Sequence, residues 1–218
     1  DVTAGRAMTA ALGSPYDVSG AAHLPLSALR TPDGALADLG AAQTAVTLLR
    51  LEGITVSATQ RATSLAKALA TFGSAEVLTD DMSAAVWQSI RDVTPLAATT
   101  ALGAWPVWRI VCPPASGGAF GQQVAHDTGG EVIYDWGGGL IWAALPPAAD
   151  AHAALLRQRA GAIGGHATLI RGSEAVRQSI DVFHPQSSGV AALSRRVKHS
   201  FDPKNILNRG RMVREATT

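Results

Sequence analysis

The stretch EVIYDWGGGLIWAALPP (131–147) constrains the fold most. Two apolar runs rich in β-branched and aromatic residues flank Gly137-Gly138-Gly139. Glycines take the positive φ that tight hairpin turns demand. The pattern predicts two antiparallel strands joined by that turn. No helix follows the glycines, so they make a turn and not a phosphate cradle.

The rest of the chain alternates element types around this hairpin. TAGRAMTAALG (3–13) predicts a helix closed by Gly13, and SPYDVSGAAHLP a short strand. TPDGALADLG (31–40) reads as a loop with a Pro-Asp-Gly turn. TAVTLLRLEG (44–53) predicts a strand. Residues 57–73 predict a helix with Leu65, Ala66, Leu69 and Phe72 on one side, and SAEVLT (74–79) a short strand. A helix runs from Ser83 to about Arg91, and PVWRIVCPP (106–114) is a strand stopped by prolines. Helices near 117–128 and 148–160, a strand at 166–172, a short helix capped by Ser173 and a last helix over 190–201 complete the chain. The order β-α-β, then β-α-β-β-α-β, implies an α+β fold. The expected sheet is mostly antiparallel with helices on one face, in a ferredoxin-like layout.

Composition supports a sizeable core and narrows the partners. Of the 218 residues 47% are hydrophobic, enough to bury one large domain. The formal net charge is +1, from 18 basic and 17 acidic residues, so no basic field exists to hold nucleic acid. No uninterrupted apolar run reaches transmembrane length. Cys112, the single cysteine, lies in an apolar run and reads as a buried small hydrophobe. The lack of an intrachain disulfide favours a reducing, cytoplasmic setting. The chain opens on Asp1 and not Met, which suggests processing or a piece of a longer protein.

No dinucleotide or P-loop string, zinc spacing or hydrolase elbow is present, and no metal site is expected. Of six histidines, His126, His152 and His199 fall among polar residues on helices and read as solvated. His23 reads as a hydrogen-bonded, half-buried imidazole. His166 and His184 lie in non-helical segments, where a ligand-facing role near neutral pH competes with a structural one. Tyr134, Trp136 and Trp142 surround the hairpin turn, as core or as the lining of a flat aromatic ligand. Arg109 and Arg171 sit in or beside apolar strands. A buried guanidinium needs an anionic partner, either an internal carboxylate or a small carboxylate substrate.

The segment VKHSFDPKNILNRGRM (197–212) resembles the C-terminal signature of FAD-linked oxidases of the vanillyl-alcohol oxidase type. Lys198, Phe201, Asp202, Pro203, Ile206, Leu207, Asn208, Gly210 and Arg211 carry the resemblance, and Arg209 stands where that signature has Pro. SPYDVSGAAHLP, LLRLEG, IYDWGGGLIWAAL, GGHATLIRG and FHPQ, in this order, are similar to the FAD-binding E subunits of bacterial glycolate oxidases. The resemblance implies that Asp1–Thr218 is a C-terminal cap domain and that an N-terminal FAD-binding domain precedes it. It also implies oxidation of glycolate, a small 2-hydroxy acid, to glyoxylate. Electrons would pass to an iron-sulfur subunit, beside a flavin-containing catalytic subunit, peripherally at the inner membrane face.

Catalytic relatives carry an H-x-G-D-G-N-x-H hairpin. Aligned on the turn, the two histidines become Asp135 and Trp142, the aspartate Gly138 and the asparagine Leu140. Their G-G-x-x-x-x-E-H-G-x-G segment becomes GGHATLIRG, without the Glu-His pair. Hydroxy-acid oxidation needs a base near the hydroxyl and a cation for the carboxylate. His166 and Arg171 are the candidates for these catalytic roles. Asn208, Arg211, Trp136 and Trp142 are the candidates for facing the FAD ring, with a purely architectural role open for Asn208 and Arg211. Two alternatives remain: a non-catalytic scaffold docking partner subunits, and a free-standing ferredoxin-like ligand-binding module. The latter predicts no large exposed apolar patch. Without a flavin domain, Asn208–Thr218 is expected to be poorly ordered or to pack on a substitute surface.

Overall fold

Six strands form one sheet: β1 (Val18–Leu24), β2 (Val46–Leu51), β3 (Val107–Val111), β4 (Glu131–Asp135), β5 (Leu140–Ala144) and β6 (His166–Arg171). These belong to a computed structural model that describes residues 1–30, 34–40, 43–78 and 80–210. The spatial order is β2-β1-β4-β5-β3-β6, and every neighbouring pair is antiparallel. The hairpin forms as expected, with Asp135 opposite Leu140 and Ile133 opposite Trp142. With the helices that pack on the sheet, the fold is α+β. From β3 to β6 the β-α-β-β-α-β string places its strands in the order second, third, first, fourth.

The helices are α1 (Val2–Leu12), α2 (Leu26–Leu29), α3 (Ala35–Gly40), α4 (Thr55–Ala68), α5 (Asp80–Arg91), α6 (Pro114–Thr128), α7 (Ala153–Ala162), α8 (Glu174–Ser179) and α9 (Ser188–Phe201). α1, α6 and α7 cover one face of the sheet. Met8, Phe120, Val124, Leu156 and Ala160 pack there against Trp108, Ile110, Val132, Tyr134 and Ile141.

The expectation of helices on one face needs correction. A second core holds Ala28 and Leu29 of α2, Leu36 of α3, and Val86 and Ile90 of α5 against Ala22, Leu24, Leu48 and Ile133. The reason lies in the strand alternation. β1, β2 and β4 are apolar on both sides at this end, so both sides must be covered. Towards β3 and β6 the second face carries Arg109, Thr168 and His166 instead, and it stays open to solvent.

Other differences are local. Residues 74–78 form no strand: Val77 is exposed and makes no sheet pairing. Position 79 lies outside the described residues. The 31–40 loop contains α3, because Leu36 has a core to enter; the Pro-Asp part of its turn (31–33) lies outside the described residues. α6 starts earlier than expected because Pro114 opens it instead of blocking it, as proline does at a first helical position. α7 starts later, after Asp150 accepts from the backbone N–H of His152 and Ala154.

Under α1 a polar network lies in the core. His23 is 4% exposed. Its Nε2 meets Asp1 Oδ1 at 3.3 Å and its Nδ1 meets Thr47 Oγ1 at 3.0 Å. The Nε2–H tautomer satisfies both contacts, donating to the carboxylate and accepting from the hydroxyl. Tyr134 donates its hydroxyl proton to Asp1 Oδ2 at 2.7 Å. Burial is the main cause that pulls the His23 pKa down to about 4. The folded chain therefore refuses a proton that the unfolded chain accepts below about 6.5. The stabilisation is intact above that value and is lost as the pH falls to 4. Denaturant titrations are expected to show roughly 3 kcal/mol less stability at pH 4 than at pH 7 from this group. His23→Gln should remove that part of the slope, and an unchanged slope would disprove the assignment.

Candidate functional site

The open face of the sheet is the floor of a groove of about 990 Å3. Gly20 and Arg50 of β1 and β2 line one side, with Trp87 and Arg91 of α5 above them. Arg109, Leu140, Trp142 and Asp135 line the other, beside the hairpin turn with Trp136 and Gly137. Strand register explains the convergence. Arg109 lies opposite Trp142 and Asp135 opposite Leu140, so alternate residues of three adjacent strands point the same way.

Three guanidinium groups reach the groove, and two have carboxylate partners. Arg50 donates from Nη2 to Glu52 Oε1 at 2.6 Å and lies 5.9 Å from the centroid of the Trp87 ring. Arg91 binds Asp92 through Nε at 2.9 Å and Nη2 at 3.2 Å. Arg109 differs. It is half-buried on a central strand and stacks 5.1 Å from the centroid of the Trp136 ring. Among the described residues no hydrogen-bond acceptor and no carboxylate engages it. Among the described residues it finds none of the internal acids that a half-buried arginine ordinarily pairs with.

The turn beside it is strained. Trp136 has φ 53°, in the left-handed region, although it is 55% exposed and has no core contact to repay that conformation. Asp135 Oδ1 accepts from Trp136 N at 2.7 Å and helps hold it there. Burial raises the Asp135 pKa above the ordinary carboxylate range. Among the described residues, a carboxyl and a guanidinium without charge partners thus flank one exposed indole.

The expected site residues separate. Trp136 and Trp142 both line the groove. His166 opens β6 at the sheet edge, on the open face but three strands from Asp135, roughly 14 Å away. It lies near His184, whose Nδ1 accepts from Ala167 N at 3.3 Å; burial is the main cause that lowers the His184 pKa. Arg171 is at the other end of β6 and clamps a loop. Its Nε, Nη1 and Nη2 donate to the carbonyls of Trp105, Leu96 and Leu102 at 2.9, 2.8 and 2.7 Å. His166 and Arg171 therefore do not converge, and every guanidinium nitrogen of Arg171 is engaged. Arg211 lies outside the described residues. Sequence reasoning weighed Arg109 without choosing it, and the change of a relative's histidine to Asp135 was the available signal for the carboxyl. Nothing in the sequence marked Arg50 or Trp87.

The tail has its own architecture. α9 ends at Phe201, and the buried Asp202 carboxylate organises the turn beyond it. Its Oδ1 accepts from Ile206 N at 2.9 Å, and its Oδ2 accepts from Leu207 N at 3.0 Å and Lys198 Nζ at 2.6 Å. The Lys198 ammonium, the first cause, holds the Asp202 pKa down at about 2. Asn208 comes next in the left-handed region, exposed and away from the groove. α9 buries none of its residues. Val190, Leu193, Val197 and Phe201 recur at helical spacing and are 51%, 56%, 51% and 84% exposed, and Ile206 and Leu207 extend the stripe.

Residues 185–212 match the C-terminal domain of FAD linked oxidases. The match spans 28 of the 218 residues, so it is a likeness of the tail and not of the whole chain. It covers α9, the Asp202 turn and Asn208, so the family's signature here is the element with the bare apolar stripe. No curated protein matches the chain. Among the described residues no group of three His, Cys, Asp or Glu stands close enough to hold a metal, and no helix is long and apolar enough to cross a membrane.

Proposed function

We propose that this chain is the cap portion of an FAD-dependent 2-hydroxy-acid oxidoreductase of the glycolate oxidase type. The single observation that carries the reading is the tail. The segment matching FAD-linked oxidases is also the one whose apolar face has no cover among the described residues. A stripe of this kind is buried in the intact protein. Its proposed occupant is the flavin-binding domain of the same polypeptide. The bare stripe also counts against a free-standing module.

The residues present suit one end of FAD. Trp136, Trp142 and Arg109 offer a flat, cationic wall to an isoalloxazine ring. They offer no pyrophosphate cradle. The glycine pair near the start of α6 is closed, since Gly117 abuts Gly138 O and Gly118 abuts Asp1 O. Phosphate binding thus falls to the other domain. Bound FAD would supply the hydride acceptor. This chain would shield the ring from water and orient the substrate, glycolate giving glyoxylate. With one cysteine in the chain, an iron-sulfur cluster receiving electrons would lie outside these 218 residues, in keeping with the proposed iron-sulfur subunit. Those partners would bring the complex to the inner membrane face.

The hairpin favours a second reading. With Asp135 and Trp142 where catalytic relatives carry histidines, the subunit would be a scaffold that docks its partners. One experiment separates the two. The chain joined to its flavin domain is purified, and glycolate is added without oxygen. Bleaching of the oxidised-flavin absorbance band is the expected result. Bound flavin that stays oxidised would sink the oxidase reading and leave the scaffold.

A further inference from the structure

We infer that Arg109 and Asp135 form the recognition site for a 2-hydroxy acid: Arg109, backed by the Trp136 indole, holds the carboxylate, and Asp135 accepts the hydrogen bond of the hydroxyl. The 2-hydroxy-acid class rests on the function proposed above; the anion site rests on geometry alone.

Position comes first. Arg109 is on β3 and Asp135 on β4, with β5 between them on the same face. Two strand spacings and two residues of offset separate their Cα atoms by roughly 12 Å. The Arg109 side chain crosses part of that gap, because its guanidinium lies over the indole of the residue after Asp135. Yet the two charges form no ion pair among the described residues. A ligand a few atoms long, with a carboxylate at one end and a hydroxyl beside it, fits between them.

Chemistry assigns the ends. A planar guanidinium matches a carboxylate with two parallel N–H donors, and stacking on Trp136 fixes its plane. Arg50 and Arg91 already have carboxylate partners in Glu52 and Asp92, so among the described residues Arg109 is the groove arginine whose charge is left for a ligand. Asp135 already accepts from Trp136 N through Oδ1, which leaves Oδ2 for a ligand hydroxyl. An ionised carboxylate can only accept. It therefore welcomes a hydroxyl and repels a ketone oxygen, so the site prefers 2-hydroxy acids over 2-oxo acids. The strain at Trp136 has an explanation on the same grounds: the left-handed turn lays the indole beneath the Arg109 guanidinium on the same side of the groove.

The test uses the 218-residue chain, with calorimetry and tryptophan emission as readouts. Glycolate, lactate, pyruvate and methyl glycolate are titrated into wild type, Arg109→Gln, Arg109→Lys and Asp135→Asn. Wild type should bind glycolate and lactate saturably, pyruvate about tenfold more weakly, and the neutral ester not at all. Arg109→Gln should weaken lactate at least tenfold while melting within a degree or two of wild type, and Arg109→Lys should restore part of the loss. Asp135→Asn should erase the lactate-over-pyruvate preference. Equal binding of glycolate and its ester, no saturable binding, or an unchanged Arg109→Gln would overturn the anion site. A general rise in affinity for all anions in Asp135→Asn, with the preference intact, would overturn the hydroxyl contact. Flavin that stays oxidised beside carboxylate binding that depends on Arg109 would refute the oxidase reading alone. Bleaching with an unaltered Arg109→Gln would refute this inference alone.

Discussion

Trp108→Ala is expected to lower the folding free energy by about 3–5 kcal/mol. Trp108 is fully buried in the middle of β3, within the core shared by α1, α6 and α7. Its indole Nε1 donates to Ala151 O at 2.9 Å, and the Arg157 guanidinium lies 5.7 Å from the ring centroid. Truncation leaves a cavity, an unpaired carbonyl and a cation without its aromatic face. Trp108→Phe divides these effects, since it keeps most of the packing and loses the hydrogen bond, a change of about 1–2 kcal/mol. Urea titration of the three proteins measures both. Equal midpoints for wild type and Trp108→Ala would refute the central place given to this residue.

The second large effect comes from one methyl group. α6 crosses the hairpin turn so closely that a Cβ at Gly117 would overlap Gly138 O. Alanine in a helix interior ordinarily gains about 1 kcal/mol over glycine. Here the overlap is with a backbone carbonyl, which cannot rotate out of the way, and overpacking of this kind costs about 3 kcal/mol. The net loss for Gly117→Ala is therefore roughly 2 kcal/mol, a melting point lower by about 4–8 °C. The strain falls on the turn that carries Asp135 and Trp136, so lactate affinity should drop along with the melting temperature. A variant that melts like wild type would show that α6 and the turn do not meet as described.

These two sites show what the sequence could and could not convey. Apolar alternation around Trp108 and the glycine-flanked hairpin are local patterns, and the strands they predict are present. The string 74–78 has the residues of a strand but finds no neighbour to pair with among the described residues, and pairing is not a local property. Covering of the second face was hidden for a related reason. It depends on α2, α3 and α5 sharing one end of the sheet, and α2 and α3 are too short to carry a periodic signal. In the site, Trp136 and Trp142 were legible because they flank the turn. Arg171 was misjudged because its chemistry is right for a ligand, while the carbonyls of Leu96, Leu102 and Trp105 that engage it lie some 66 to 75 positions away in sequence. Arg109 is the converse. Its mark is the missing partner, and a one-dimensional string cannot show which carboxylates fail to arrive.

The sheet has an unequal weave. β1 and β2 are joined through six residue pairs and β4 and β5 through five, while β1 meets β4 through the single pair His23–Tyr134. At that pair the Asp1 carboxylate holds both side chains. The groove straddles it, with Gly20 and Arg50 on one bank and Arg109 and Asp135 on the other. Both cores cross the line between β1 and β4, with Ala21 beside Tyr134 in one and Ala22 beside Ile133 in the other, so burial and not backbone pairing joins the two halves. The groove floor is thus continuous in its packing where its backbone ladder is thinnest.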